Sequence, residues 1–122
     1  MYTGGREAEI GRLSKLYGMP LRQRHVLEVS QATYDWWTGI KPRRPHGEVV
    51  LFIRRPNGNL ILHCKDFYPA GAWRVPSGGI KKGESLLDAA QREALEETGL
   101  QVVVERLLAV VEFEFHCQGL CI

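Results

Sequence analysis

The chain has 122 residues, 25% charged and 44% hydrophobic, with a formal net charge of +2. That length suits one small domain plus an appendage, and the ordinary composition excludes disordered and fibrous classes. The charge is too small to argue for a nucleic-acid partner, which needs a concentrated basic face.

The first expected element is a short amphipathic helix over Arg6 to Tyr17, where Ile10, Leu13, Leu16 and Tyr17 recur at helical spacing. Gly18 and Pro20 close it. A strand is expected over Leu21 to Val29. Ser30 then offers an N-cap for a helix containing Tyr34, Trp36 and Trp37, with Gly39 as its stop. For the two tryptophans, a dimer contact and packing on the domain are equally open. Lys41 to Pro45, with two prolines and three basic residues, reads as a connection and marks the best boundary. Residues 1–45 are thus expected to be an N-terminal extension, and 46–122 a domain.

Beyond Gly47, Val49 to Ile53 is a buried-strand run, Pro56-Asn57-Gly58-Asn59 a turn, and Leu60 to Leu62 the second arm of a hairpin. Trp73 to Pro76 reads as extended, Ser77-Gly78-Gly79 as a turn, and Ser85 to Thr98 as a helix ended by Gly99. Val102 to Val104 and Leu107 to Phe115 are expected strands. Cys64, Cys117 and Cys121 are an odd number without a disulfide framework, which fits a reducing compartment. Cys117 and Cys121 with His116 match no common zinc spacing, so buried or terminal thiols are expected. His25, His46, His63 and His116 have no partner pattern and receive no catalytic role. No apolar run approaches the roughly 20 residues that span a bilayer, and Met1 to Ile10 lacks a signal peptide's apolar core. No membrane partner and a cytoplasmic location follow as expectations.

The segment that carries chemistry starts at Gly78. Five residues lead to Glu84, seven more to Arg92-Glu93, and then come Ala94, Leu95, Glu96, Glu97, Thr98, Gly99 and Leu100. At about 100° per residue, Glu93, Glu96 and Glu97 fall within an arc of roughly 100°, beside an apolar face of Leu86, Leu87, Ala90 and Ala94. Like charges three or four apart destabilise a helix, and carboxylates near its C-terminus oppose the macrodipole. A cation is the better explanation of this doubly unfavourable edge, although a solvated acidic face is the commoner meaning of acidic residues alone. Hard oxygen ligands suit magnesium or manganese.

The spacing resembles the Nudix signature, G-x5-E-x7-R-E-U-x-E-E-x-G-U, with the small Ala94 at the first bulky apolar position as its one departure. The resemblance covers Gly78 to Leu100 firmly, extends from Gly47 to about Phe115, and leaves out Met1 to Pro45. It implies an α/β fold, the α/β/α sandwich around a mixed sheet, preceded here by a helical and strand extension. The sandwich normally continues well past the box, so its C-terminal part is expected to be lacking, through truncation or because another chain supplies it. An exposed sheet would favour association, a homodimer included.

The same resemblance implies an enzyme that hydrolyses a diphosphate linkage in a nucleotide-like small molecule such as a nucleotide sugar, a dinucleotide or a nucleoside triphosphate. Glu93, Glu96, Glu97 and the Gly79 carbonyl would hold Mg2+ or Mn2+. Arg92 would hold Glu93 in place, with Gly78, Glu84 and Gly99 as the remaining motif positions. The general base would be Glu93 or a glutamate further downstream. Outside the motif, Trp73, Tyr68 and Phe67 could stack on a base, and Arg54, Arg55, Lys65 and Arg74 could meet phosphate; Arg54, Arg74 and Trp73 are the substrate candidates retained. A non-catalytic nucleotide-binding or regulatory module is the alternative, and the full set of box glutamates favours the enzyme.

Overall fold

The computed structural model describes residues 6–40, 46–65, 69–118 and 120–121. It is a mixed α/β chain with three helices and two sheets among those residues. Two compact units are present, one of residues 1–45 with 105–122 and the other of residues 46–104.

In the first unit, α1 (Glu7–Tyr17) buries Ile10 and is followed by β1 (Leu21–Glu28) and α2 (Gln31–Ile40). The helix ends follow local chemistry. The Gly18 N–H donates to the Ser14 carbonyl at 3.0 Å, and Ser30 Oγ accepts from the Thr33 N–H at 3.2 Å as an N-cap does. Gly39, expected to stop α2, lies inside it, since the helix runs on to Ile40. An interior glycine costs a helix about 1 kcal/mol against alanine, too little to end one by itself.

β4 (Ala109–Cys117) pairs in parallel with the whole of β1, from Leu21 opposite Ala109 to Glu28 opposite His116. β5 (Leu120–Cys121) adds a short antiparallel stretch at Cys117. One side of β4 is therefore filled by a strand from the N-terminal extension, a pairing between residues far apart in sequence that no local pattern announces. Trp37 of α2 stacks on Phe115 of β4 with ring centroids 4.9 Å apart, a packing contact within the chain. Trp36 is exposed.

In the second unit, β2 (Glu48–Val50) pairs antiparallel with β3 (Ser77–Gly79), Val49 facing Gly78. Ser77-Gly78-Gly79, which has turn composition, is thus a strand, because its partner supplies the ladder that its own residues do not demand. The apolar run after β2 changes partner instead of continuing as one strand. Leu51 donates to the Pro76 carbonyl at 2.8 Å, and the Ile53 carbonyl accepts from Ile61 at 2.8 Å. The expected hairpin forms around Pro56 to Asn59, with Arg54 bridged to Leu60 and Asn57 Oδ1 accepting from the Asn59 N–H at 3.0 Å. Residues 102–104, expected as a strand, are not one.

α3 (Leu86–Thr98) packs against β2 and β3. Ser85 caps it by accepting from the Asp88 N–H at 3.1 Å, and Gly99 ends it in the left-handed region at φ 72°, with its N–H on the Leu95 carbonyl. Its inward face buries Ala89 and Ala94 completely. The small Ala94, the one departure from the motif, is therefore a close-packing position. Lys41–Pro45, Phe67 and Tyr68 lie outside the described residues.

Candidate active site

The loop, strand and helix of the motif converge on one side chain, Arg92. Its Nε donates to Glu84 Oε2 at 2.7 Å and its Nη2 to Glu84 Oε1 at 2.8 Å, a two-pronged pairing that fixes the guanidinium plane. The same Nη2 donates to the Gly79 carbonyl at 2.9 Å. Nη1 reaches Glu93 Oε1 at 2.7 Å and Glu96 Oε2 at 3.2 Å. One residue thus ties the loop at Glu84, the strand end at Gly79 and the acidic edge of α3 together.

Glu93 is buried, with 6% of its surface exposed, while Glu96 is exposed. Taking a carboxylate out of water costs several kcal/mol unless it is paired, and Arg92 is the compensating charge. Gly78 makes room for that carboxylate. A Cβ built on Gly78 would fall on the Glu93 carboxyl group, so no larger residue fits without displacing it. Gly78 is in ordinary strand geometry with no positive φ, so close approach rather than unusual backbone conformation is what requires glycine.

The electrostatics follow from the pairing. The Arg92 hydrogen bonds, then the Lys81 N–H, pull the Glu84 carboxyl down to about 2 from its ordinary 4.5. Glu84 and then Glu93 hold the guanidinium above its ordinary value. A carboxyl with a depressed folded-state value stabilises the fold above its unfolded value and loses that contribution as pH falls through the folded one. Stability carried by Glu84 is therefore full above pH 4.5 and declines towards pH 2. Denaturant titrations across this window should show a shallower acid loss for Glu84→Gln than for the unmodified chain.

Glu97 has a separate set of partners. Its Oε2 lies 3.0 Å from Lys65 Nζ and 3.4 Å from His63 Nδ1. His63 is held by a reciprocal backbone bridge to Arg74, with both N–H to carbonyl distances at 2.9 Å. His63 received no role from the sequence, where a lone histidine carries no partner signal; only the hairpin brings it to α3. Trp73 is 63% exposed, and Arg54 and Arg74 are exposed on the hairpin and the segment facing it. Cys64 is exposed, unlike the buried Cys117.

The donors in hand suit a hard divalent cation chemically. Glu93, Glu96 and the Gly79 carbonyl are all oxygens and already surround a positive group. Among the described residues no three His, Cys, Asp or Glu side chains converge closely enough to hold a metal by themselves. Glu93, Glu96 and the Gly79 carbonyl share Arg92 as their partner, and Glu97 is paired with Lys65 and His63. No helix among the described residues is long and apolar enough to cross a membrane.

A family model described as NUDIX domain matches residues 39–120. The chain is 39% identical over 64% of its length to the low-salt glycan biosynthesis protein Agl8 of Haloferax volcanii, and covers 50% of that protein. It is 32% identical to an RNA pyrophosphohydrolase of Roseobacter denitrificans, over 70% of this chain and 46% of the relative. An oxidized purine nucleoside triphosphate hydrolase of Mus musculus is 33% identical over 54% of this chain and 42% of its own. The chain thus spans about half the length of these relatives. No solved structure matches. With a model match over most of its length, and with Gly78, Glu84, Arg92 and Glu93 joined in one hydrogen-bonded and close-packed group, the chain belongs to the Nudix family.

Proposed function

We propose that this protein hydrolyses a diphosphate linkage in a nucleotide-like substrate, with Mg2+ or Mn2+ as cofactor. The observation that carries the reading is the Arg92 clamp, which holds the buried Glu93, Glu96 and the Gly79 carbonyl at one strand-to-helix junction. Oxygen donors gathered on one guanidinium at the cost of burying a carboxylate favour a chemical role over packing. Relatives named as RNA pyrophosphohydrolases and as an oxidized purine nucleoside triphosphate hydrolase support nucleotide-type substrates.

Glu93, Glu96, Glu97 and the Gly79 carbonyl are the assigned ligands. A cation bound to them supplies neutralisation of the diphosphate oxygens and lowers the pKa of a water. Arg92 keeps Glu93 oriented through every cycle, because its two-pronged hold on Glu84 leaves it no freedom to leave. Glu93 is also the candidate to accept the attacking water's proton, being the one carboxylate of the edge withdrawn from solvent. Arg54, Arg74 and the exposed Trp73 are assigned to substrate.

A panel of a nucleoside triphosphate, its oxidised purine form, a nucleoside diphosphate sugar, a dinucleotide and a 5′-triphosphorylated RNA tests the reading. Phosphate-containing products should appear from at least one member with Mg2+ or Mn2+ and from none with chelator. Intact substrates throughout, with the full-length protein folded, would overturn it.

A further inference from the structure

Two cationic side chains meet the acidic edge of α3, and they differ in the chemistry of the charged group. Arg92 is fixed by both oxygens of Glu84 and by the Gly79 carbonyl. Lys65 meets Glu97 at 3.0 Å on a longer, flexible stem, and its side chain is 35% exposed against 20% for Arg92. The backbone bridge between His63 and Arg74 sets the segment, and in an extended segment residues two apart share a face. That places His63 and Lys65 on the same carboxylate, with His63 Nδ1 at 3.4 Å. A lysine ammonium is a single mobile point charge, whereas the arginine fork is held in a plane. Of the two cations, Lys65 carries the more mobile charged group.

We propose that Lys65 is the displaceable counter-ion of Glu97 and sets how much divalent metal the site needs. This role presupposes the cation assigned to Glu97 above. A divalent ion that takes Glu97 Oε2 displaces Lys65 from it, and one that takes Oε1 binds beside the Lys65 ammonium. Both effects weaken cation binding, and both vanish when the charge is removed. The pair is part-exposed, so the effect is moderate and salt-sensitive.

The test is direct binding of Mn2+ to the full chain, followed by loss of the free-ion paramagnetic resonance signal, with no substrate present. Lys65→Met and Lys65→Gln should bind Mn2+ about fivefold more tightly, the scale of one part-exposed ion pair. Lys65→Arg, which keeps the charge in a less displaceable form, should bind Mn2+ no more tightly than the unmodified chain. Unchanged or weaker binding by both neutral variants would overturn the role of Lys65. Glu97→Gln separates the two levels. If it binds Mn2+ as tightly as the unmodified chain, Glu97 is no ligand and both readings fall; if it binds more weakly while the Lys65 variants do not tighten, only the counter-ion role falls.

Discussion

Replacing Glu93 with glutamine is expected to cut kcat/KM for the best diphosphate substrate by on the order of 10³-fold, the scale seen when one pre-set electrostatic contact to the reacting group is removed. Glutamine keeps the size and one carbonyl acceptor, so Arg92 Nη1 retains a partner and the Gly78 cradle stays filled. What is lost is the negative charge. Thermal unfolding of Glu93→Gln should therefore stay within a few degrees of the parent, while turnover collapses. A loss below about tenfold in kcat/KM, against that expected scale, would mean that the buried carboxylate serves the fold and not the reaction.

Arg92→Met should give the opposite pattern, with stability hit first. The arginine donates to Glu84, Glu93, Glu96 and the Gly79 carbonyl, and Glu93 is buried. Removing one partner of a buried pair strands the other, at a cost of about 3–5 kcal/mol when burial is complete; the partial exposure of Arg92 lowers this to roughly 2–3 kcal/mol. In a domain whose total stability is about 5–15 kcal/mol, that is a large share. Chemical denaturation of Arg92→Met beside Arg92→Lys is the check. Lysine restores a charge without the two-pronged geometry, so it should recover less than half of the loss. Full recovery by lysine would show that charge alone, and not the fork, holds the site.

Much of this site could be seen in the residues before any coordinates. Ser85 and Gly99 bracket α3 with signals that act within a few residues, and they stand at its two ends. The shared edge of Glu93 and Glu96 is helical arithmetic, and both reach the same guanidinium nitrogen. Gly78 was legible as a special position but not for its reason, because the crowding comes from Glu93 across the packed layer. The strand at Ser77–Gly79 was hidden by composition, since glycines form a ladder only when a partner such as Glu48–Val50 imposes it. The parallel pairing of β1 with β4 and the approach of His63 to Glu97 were invisible for one reason. Both join segments far apart along the chain, and neither leaves a periodic trace in either segment.

Calorimetric titration of Mn2+ into the unmodified chain and into Glu93→Gln tests most directly whether the α3 edge exists to hold a hard cation. Saturable binding by the unmodified chain, weakened by at least about tenfold in Glu93→Gln, is the predicted result. Equal affinity in the two proteins, or no binding by the unmodified chain, would contradict it.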